Sequence, residues 1–348
     1  MKEIIAIDII LDTETVDFFG PANETSPQQL KGKIRVLLNK PLKLKYVVLK
    51  LNGTNRFLPT SLGTLHHQYS NIPEEVSVTT VYNTIQCLPA PRVLAQGVTD
   101  FPFEMQLAGD SPPSFENAMG YLQYKLTAVI APAALLGKSE RFRKTFPVRR
   151  FTVPGFRTLS LAKQRTLYEG KREGVVKYRF DVAKIVCVEQ GSVAFSGIMW
   201  PINGHELPTE VTVLLEEVGV CRISSKDIRS PDHNHRVGIE CRMTRTVAQA
   251  TLSVSEGSLT PTSSGVIDMM SVLQFEEASE PLHWDLDTPL IDITHRFRVR
   301  LDFASKVDKE LWLTCPLFVA TLPPEQNLDD EWLPSYQNVM ADPVPVHV

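Results

Sequence analysis

The chain has 348 residues, 43% hydrophobic and 22% charged, with a formal net charge of -4. That balance excludes a general attraction to nucleic acid or anionic membrane, so anion binding would have to come from a local patch. At roughly 150 residues per domain the length predicts two domains, and there is no run of the roughly 18 to 20 uncharged apolar residues that span a bilayer.

Period-two alternation is the recurrent local signal. It predicts strands at 3–11, 33–38, 45–51, 121–130, 141–151, 176–188, 210–218, 236–254, 266–275, 293–303 and 311–320. In 121–130, Leu122, Tyr124, Leu126, Ala128 and Ile130 fall on one face, with Gln123, Lys125 and Thr127 on the other. The 293–303 segment is sharper: Ile293, Phe297, Val299, Leu301 and Phe303 alternate with Thr294, Arg296, Arg298, Arg300 and Asp302, a pattern no helix segregates. Only 158–170 suggests a short helix, and the 25 prolines suit sheet edges and loops. Many strands at short spacing predict two sandwiches, with a first domain over 1–155, a linker over 156–173 and a second domain over 174–322. Residues 323–348 form a tail expected to be disordered, holding five prolines and an acidic run at 329–331.

Chemistry-bearing clusters are sparse. Cys87, Cys187, Cys221, Cys241 and Cys315 are widely spaced and odd in number, which predicts free thiols rather than a disulfide framework. Neither His66-His67 nor His233-x-His235 has a cysteine or a tight carboxylate set beside it, so neither metal nor cofactor is expected. The chain has no G-x-S-x-G elbow, phosphate-binding glycine loop or H-E-x-x-H motif, and a non-enzymatic function follows. The opening MKEIIAIDIILD carries charge at Lys2, Glu3 and Asp8, where a signal peptide has an apolar core, so a cytoplasmic protein is expected.

Several segments together resemble the arrestins, specifically the fungal-like alpha-arrestins or arrestin-related trafficking adaptors. In the first half these are LKGKIRVLLNKPLKLKYVVLKLNG (30–53) and FPFEMQLAGDSPPSFENAMGYLQYKLTAVI (101–130). In the second half, GVVKYRFDVAKIVCVEQGSVAFSGIMW (174–200) and PLIDITHRFRVRLDF (289–303) look similar, although PINGHELPTEV stands where the family has a glycine-bearing turn. The resemblance implies an all-β chain of two arrestin-type, immunoglobulin-like β-sandwich domains in tandem with a short disordered C-terminal tail. It further implies a non-enzymatic cytosolic adaptor that links plasma-membrane cargo, the cytosolic tails of transporters or receptors, to a WW-domain HECT-type ubiquitin ligase. Such an adaptor promotes ubiquitin-dependent endocytosis and sorting, is recruited to the plasma membrane and endosomes, and associates with membrane peripherally. By the same analogy Lys31, Lys33, Lys43 and Lys45 are candidate ubiquitin acceptors. The alternative is a retromer-like arrestin-fold scaffold that acts without ubiquitin.

Alpha-arrestins carry P-P-x-Y motifs behind the second sandwich, and Leu333, Pro334, Ser335 and Tyr336 form the L-P-x-Y variant. A leucine and proline in extended polyproline form lose little entropy on docking in an aromatic groove. Tyr336 would fill a second pocket with its ring while its hydroxyl finds a polar partner. Leucine in place of the first proline gives up some preorganisation, so weaker binding is expected than for the full motif. The near-match Pro112-Pro113-Ser114-Phe115 ends in Phe and is read as a structural loop.

The run KSERFRKTFPVRR supplies a candidate anion or cargo-tail contact in Arg141, Arg143, Lys144, Arg149 and Arg150, and phosphoinositide headgroups have the same charge. Its alternative is a solvated strand face. Arg296, Arg298 and Arg300 on one strand face are likewise either an anion strip or protection against sheet aggregation.

Overall fold

The computed structural model describes residues 3–58, 76–133, 138–151, 164–202, 208–223, 239–253, 256–262, 265–276, 280–304 and 310–322. The predicted tail and both histidine pairs lie outside them.

In the first half the strands are β1 (Ile4–Leu11), β2 (Val16–Phe19), β3 (Gln28–Leu38), β4 (Leu42–Phe57), β5 (Val76–Leu88), β6 (Arg92–Leu94), β7 (Gly97–Leu107), β8 (Phe115–Asn117), β9 (Gly120–Pro132), β10 (Glu140–Phe146) and β11 (Val148–Phe151). They form a sheet of order β1-β3-β7 and a larger one of order β10-β9-β4-β5, to which β6 and β8 add. β11 pairs with β2 in parallel. Inward side chains of the two main sheets, such as Ile34 and Val36 against Leu49, Leu51, Tyr124 and Leu126, share one core. Pro102 falls within β7, where the missing N–H is tolerated because β7 is an edge strand.

The second half has β12 (Arg165–Arg172), β13 (Val176–Ala183), β14 (Ile185–Cys187), β15 (Ser192–Pro201), β16 (Glu210–Ile223), β17 (Ile239–Ser253), β18 (Thr260–Pro261), β19 (Ile267–Gln274), β20 (Leu286–Asp287), β21 (Ile291–Asp302) and β22 (Glu310–Ala320). These make a sheet of order β12-β13-β15-β19-β18 facing one of order β14-β22-β21-β16-β17. Phe180 and Phe195 of the first sheet meet Phe297 of the second, the last two with ring centroids 5.6 Å apart. The architecture is the all-β one expected of two sandwiches.

One expectation is corrected. No helix forms over the described part of 158–170, because Arg165–Arg172 is β12, paired with β13 from Arg165↔Ala183 to Arg172↔Val176. Its inward positions are filled by Thr166, Tyr168 and Gly170 rather than by a run of large apolar residues, which hides the alternation from a hydrophobic pattern.

The halves pack directly on one another. Cys221, Ile223, Cys241, Leu286, Leu290, Ile291 and Ile293 join the first core rather than the second. A buried hydrogen bond of 2.7 Å runs from Asn55 Nδ2 to Thr288 Oγ1. At Gly219 an added Cβ would lie 2.1 Å from Met119 Sδ, so glycine is what lets Met119 seat against β16.

Candidate functional site

β4 is a long strand whose buried positions change phase once. Leu42 and Leu44 face inward, a bulge between Leu44 and Tyr46 shifts the register, and Val47, Leu49 and Leu51 then take the inward side. A one-residue slip exchanges the faces of a strand, and here it turns Tyr46, Val48, Lys50, Asn52, Thr54 and Arg56 outward. Pairing with β9 at Lys50↔Thr127 and Asn52↔Lys125, and of β9 with β10 at Thr127↔Arg143 and Val129↔Arg141, gathers Lys50, Lys125, Arg141 and Arg143. With Arg56 they line a depression of about 660 Å³ on the outer face of this sheet.

The other lining residues are aromatic, hydroxyl, amide or apolar, and no carboxylate is among them. Arg56 lies over the Tyr121 ring at 5.7 Å, a cation–π contact that fixes its direction. Alternation in β10 sends Glu140 to the opposite side from Arg141 and Arg143, which are both exposed. Five cations on a shallow sheet face suit an extended, negatively charged chain rather than a compact ligand.

The five residues of the predicted basic contact therefore separate. Arg141 and Arg143 reach the groove. Lys144 points the other way and donates to the Ile9 carbonyl at 3.0 Å, tying β10 to β1. Arg149 makes a two-pronged pair with Asp17 at 2.6 and 2.8 Å, which raises its pKa and fixes the β2–β11 pair. Arg150 is buried over the Phe18 ring, 4.8 Å from its centroid, and donates to Gly20 O, Thr25 Oγ1, Gly109 O and Ser111 O. Burial pulls its pKa down, yet a guanidinium stays charged at physiological pH. Arg149 and Arg150 hold the fold together instead of facing the groove. Lys50, Arg56 and Lys125 were missed from sequence because they are spaced apart along β4 and β9 and form no charge run, and only the register assembles them.

The arginine strip of β21 has a different environment. Arg296 pairs with buried Glu216 at 2.7 Å, Arg298 stacks 4.0 Å above the Trp312 ring, and Arg300 reaches Asp302 and Glu210. Pro112-Pro113-Ser114-Phe115 is structural: Pro112 accepts the Tyr124 hydroxyl at 2.6 Å, Ser114 accepts Val148 N–H, and Phe115 is buried. Of the candidate acceptors, Lys31 pairs with Glu104 and Lys33 with Asp100, while Lys43 and Lys45 are exposed. All five cysteines are free thiols. The docking motif Leu333, Pro334, Ser335 and Tyr336 lies outside the described residues.

The family model described as "Arrestin (or S-antigen), N-terminal domain" matches residues 7–152, the half that carries the groove. The first half of the chain therefore carries a domain of arrestin N-terminal type. Among curated relatives, an Aspergillus fumigatus protein named "Probable HECT-type ubiquitin ligase-interacting protein creD" is 32% identical over 128 residues, 35% of this chain and 21% of the relative. Proteins of the same name from Aspergillus clavatus and Neosartorya fischeri are 32% and 31% identical over the same length. The match thus spans about a fifth of the relatives' own length. Together these similarities support an alpha-arrestin assignment, and the groove is a surface of the matched N-terminal domain.

Proposed function

We propose that this protein is an adaptor that docks on a WW-domain HECT-type ubiquitin ligase through Leu333, Pro334 and Tyr336, and holds an acidic cytosolic tail of a membrane transporter or receptor in the β4–β9–β10 groove. In this reading catalysis belongs to the ligase. The adaptor is a cytosolic protein recruited to the plasma membrane and endosomes, where ubiquitin is transferred to cargo or to the adaptor's own lysines, and endocytic sorting follows.

The observation that carries the cargo half is a groove lined by five cations and no carboxylate. Like charges gathered on one face repel one another, and an anionic partner would relieve that repulsion. The ligase half is supported by the name the fungal relatives carry and by the L-P-x-Y sequence, whose leucine and proline suit a WW groove.

The two halves separate experimentally. Full-length chain with Tyr336→Ala is expected to lose capture by immobilised WW domains and to keep binding of an acidic peptide. Lys125→Glu with Arg141→Glu is expected to do the reverse. If both variants bind both probes like the parent, neither half stands.

A further inference from the structure

The segment from Pro281 to Thr288 enters β21 as a strap across the junction of the two halves. We propose that His295 is an acid-fastened latch for this strap: as an imidazolium it ties the strap to the second sandwich, and as a neutral ring it holds it more loosely. This inference is independent of the ligase and the groove.

His295 sits on β21, opposite Glu217 of β16 and Leu317 of β22, and its side chain is fully buried. Its Nδ1 is 2.5 Å from Asp285 Oδ1. Its Nε2 is 3.5 Å from Glu217 Oε2, within ion-pair reach but short of an aligned hydrogen bond. A neutral imidazole has one N–H, so it cannot serve two carboxylates; an imidazolium can face both.

Every element around the ring contributes to the balance. The strap presents Asp285 and His283, β16 presents Glu217, β17 presents Arg245, and β22 presents apolar Leu317. Arg245 grips Glu217 at 2.8 and 2.9 Å and donates to the strap carbonyl of Pro281 at 2.6 Å. His283 Nδ1 lies 3.0 Å from Glu217 and 3.1 Å from Arg245. With Glu280 also 3.6 Å from Arg245, three carboxylates face one guanidinium, and a protonated His295 offsets part of the negative excess.

The electrostatics agree with the geometry. Burial disfavours the imidazolium, but Asp285 and Glu217 outweigh it and raise the pKa above 6.5. Despite its own burial, Glu217 is held far below the carboxylate range by His283, His295 and Arg245.

The latch reaches the junction through the strap. Asp285 accepts Val319 N–H at 3.2 Å and its own N–H donates to Val319 O at 2.8 Å, pinning the strap to β22. On the other side, Trp284 and Leu286 pack on the first core and Thr288 bonds Asn55. Trp284 and Asp287 also line, with Arg150, a cavity of about 360 Å³. A raised histidine pKa adds stability that is complete below the unfolded value of about 6.5 and lost as pH climbs through the folded value. The strap is therefore tight in acid and loosens in base.

The test uses the full chain with labelled histidines. NMR titration is expected to find His295 titrating above its unfolded value, and amide exchange at Asp285 and Val319, corrected for the intrinsic pH effect, to lose up to about tenfold protection per pH unit above that point, the limit for one proton. His295→Gln is expected to abolish this pH dependence, and His283→Gln to keep it. Unchanged pH dependence in His295→Gln would overturn the latch. If that variant does not fold, a wild-type His295 titrating at or below the unfolded value overturns it equally.

Discussion

The outer face of β4, β9 and β10 and the outer face of β21 both line up basic side chains, and they treat the charge in opposite ways. On β21, Arg296 and Arg298 share buried Glu216, Arg300 has Glu210 and Asp302, and Trp312 takes the guanidinium plane of Arg298. On the first face Lys50, Arg56, Lys125, Arg141 and Arg143 surround a depression without any lining carboxylate. Exposed charge is cheap where water screens it, so a basic strand pattern alone does not distinguish a structural face from a binding one. The carboxylates on the neighbouring strand do.

The contrast can be broken from either side. The largest expected effect is Glu216→Ala, which leaves Arg296 and Arg298 without their shared, buried partner and should cost about 2–3 kcal/mol in chemical denaturation. Next, Lys125→Glu with Arg141→Glu should weaken an acidic peptide at least about tenfold, roughly 1.4 kcal/mol, in a fluorescence titration. Because those side chains are not held within the sheet, the melting temperature should hardly move. Arg298→Ala, which removes the stack on Trp312, should cost about 1 kcal/mol and leave peptide binding alone. Smallest is Lys31→Ala at an exposed pair with Glu104, expected within about 0.5 kcal/mol by thermal melt.

Strands with one continuous apolar face were legible in the sequence: β9 and β21 alternate as written, and their packed faces are those the pattern predicts. β5 was not, because VSVTTVYNTIQCL is fully buried only at Val76 and Leu88, and Thr, Asn and Gln recur between. β12 hid for the same reason. At the site, Arg141 and Arg143 were visible as part of a charge run, but the run could not say that Lys144, Arg149 and Arg150 face Ile9, Asp17 and the backbone around Gly109. That division follows from strand alternation together with partners far away in sequence. The buried His295 cluster was equally illegible, since its members come from β16, β17, β21 and the strap and share no motif.

The most direct measurement of the adaptor account is a bridging assay, with a HECT-type ligase WW domain immobilised, the full chain added, and a labelled acidic peptide supplied in solution. The account predicts that the wild-type chain retains both, that Tyr336→Ala loses chain and peptide together, and that Lys125→Glu with Arg141→Glu keeps the chain on the WW domain while the peptide is lost. Peptide retained undiminished by the doubly substituted chain, or a chain retained undiminished by Tyr336→Ala, would contradict it.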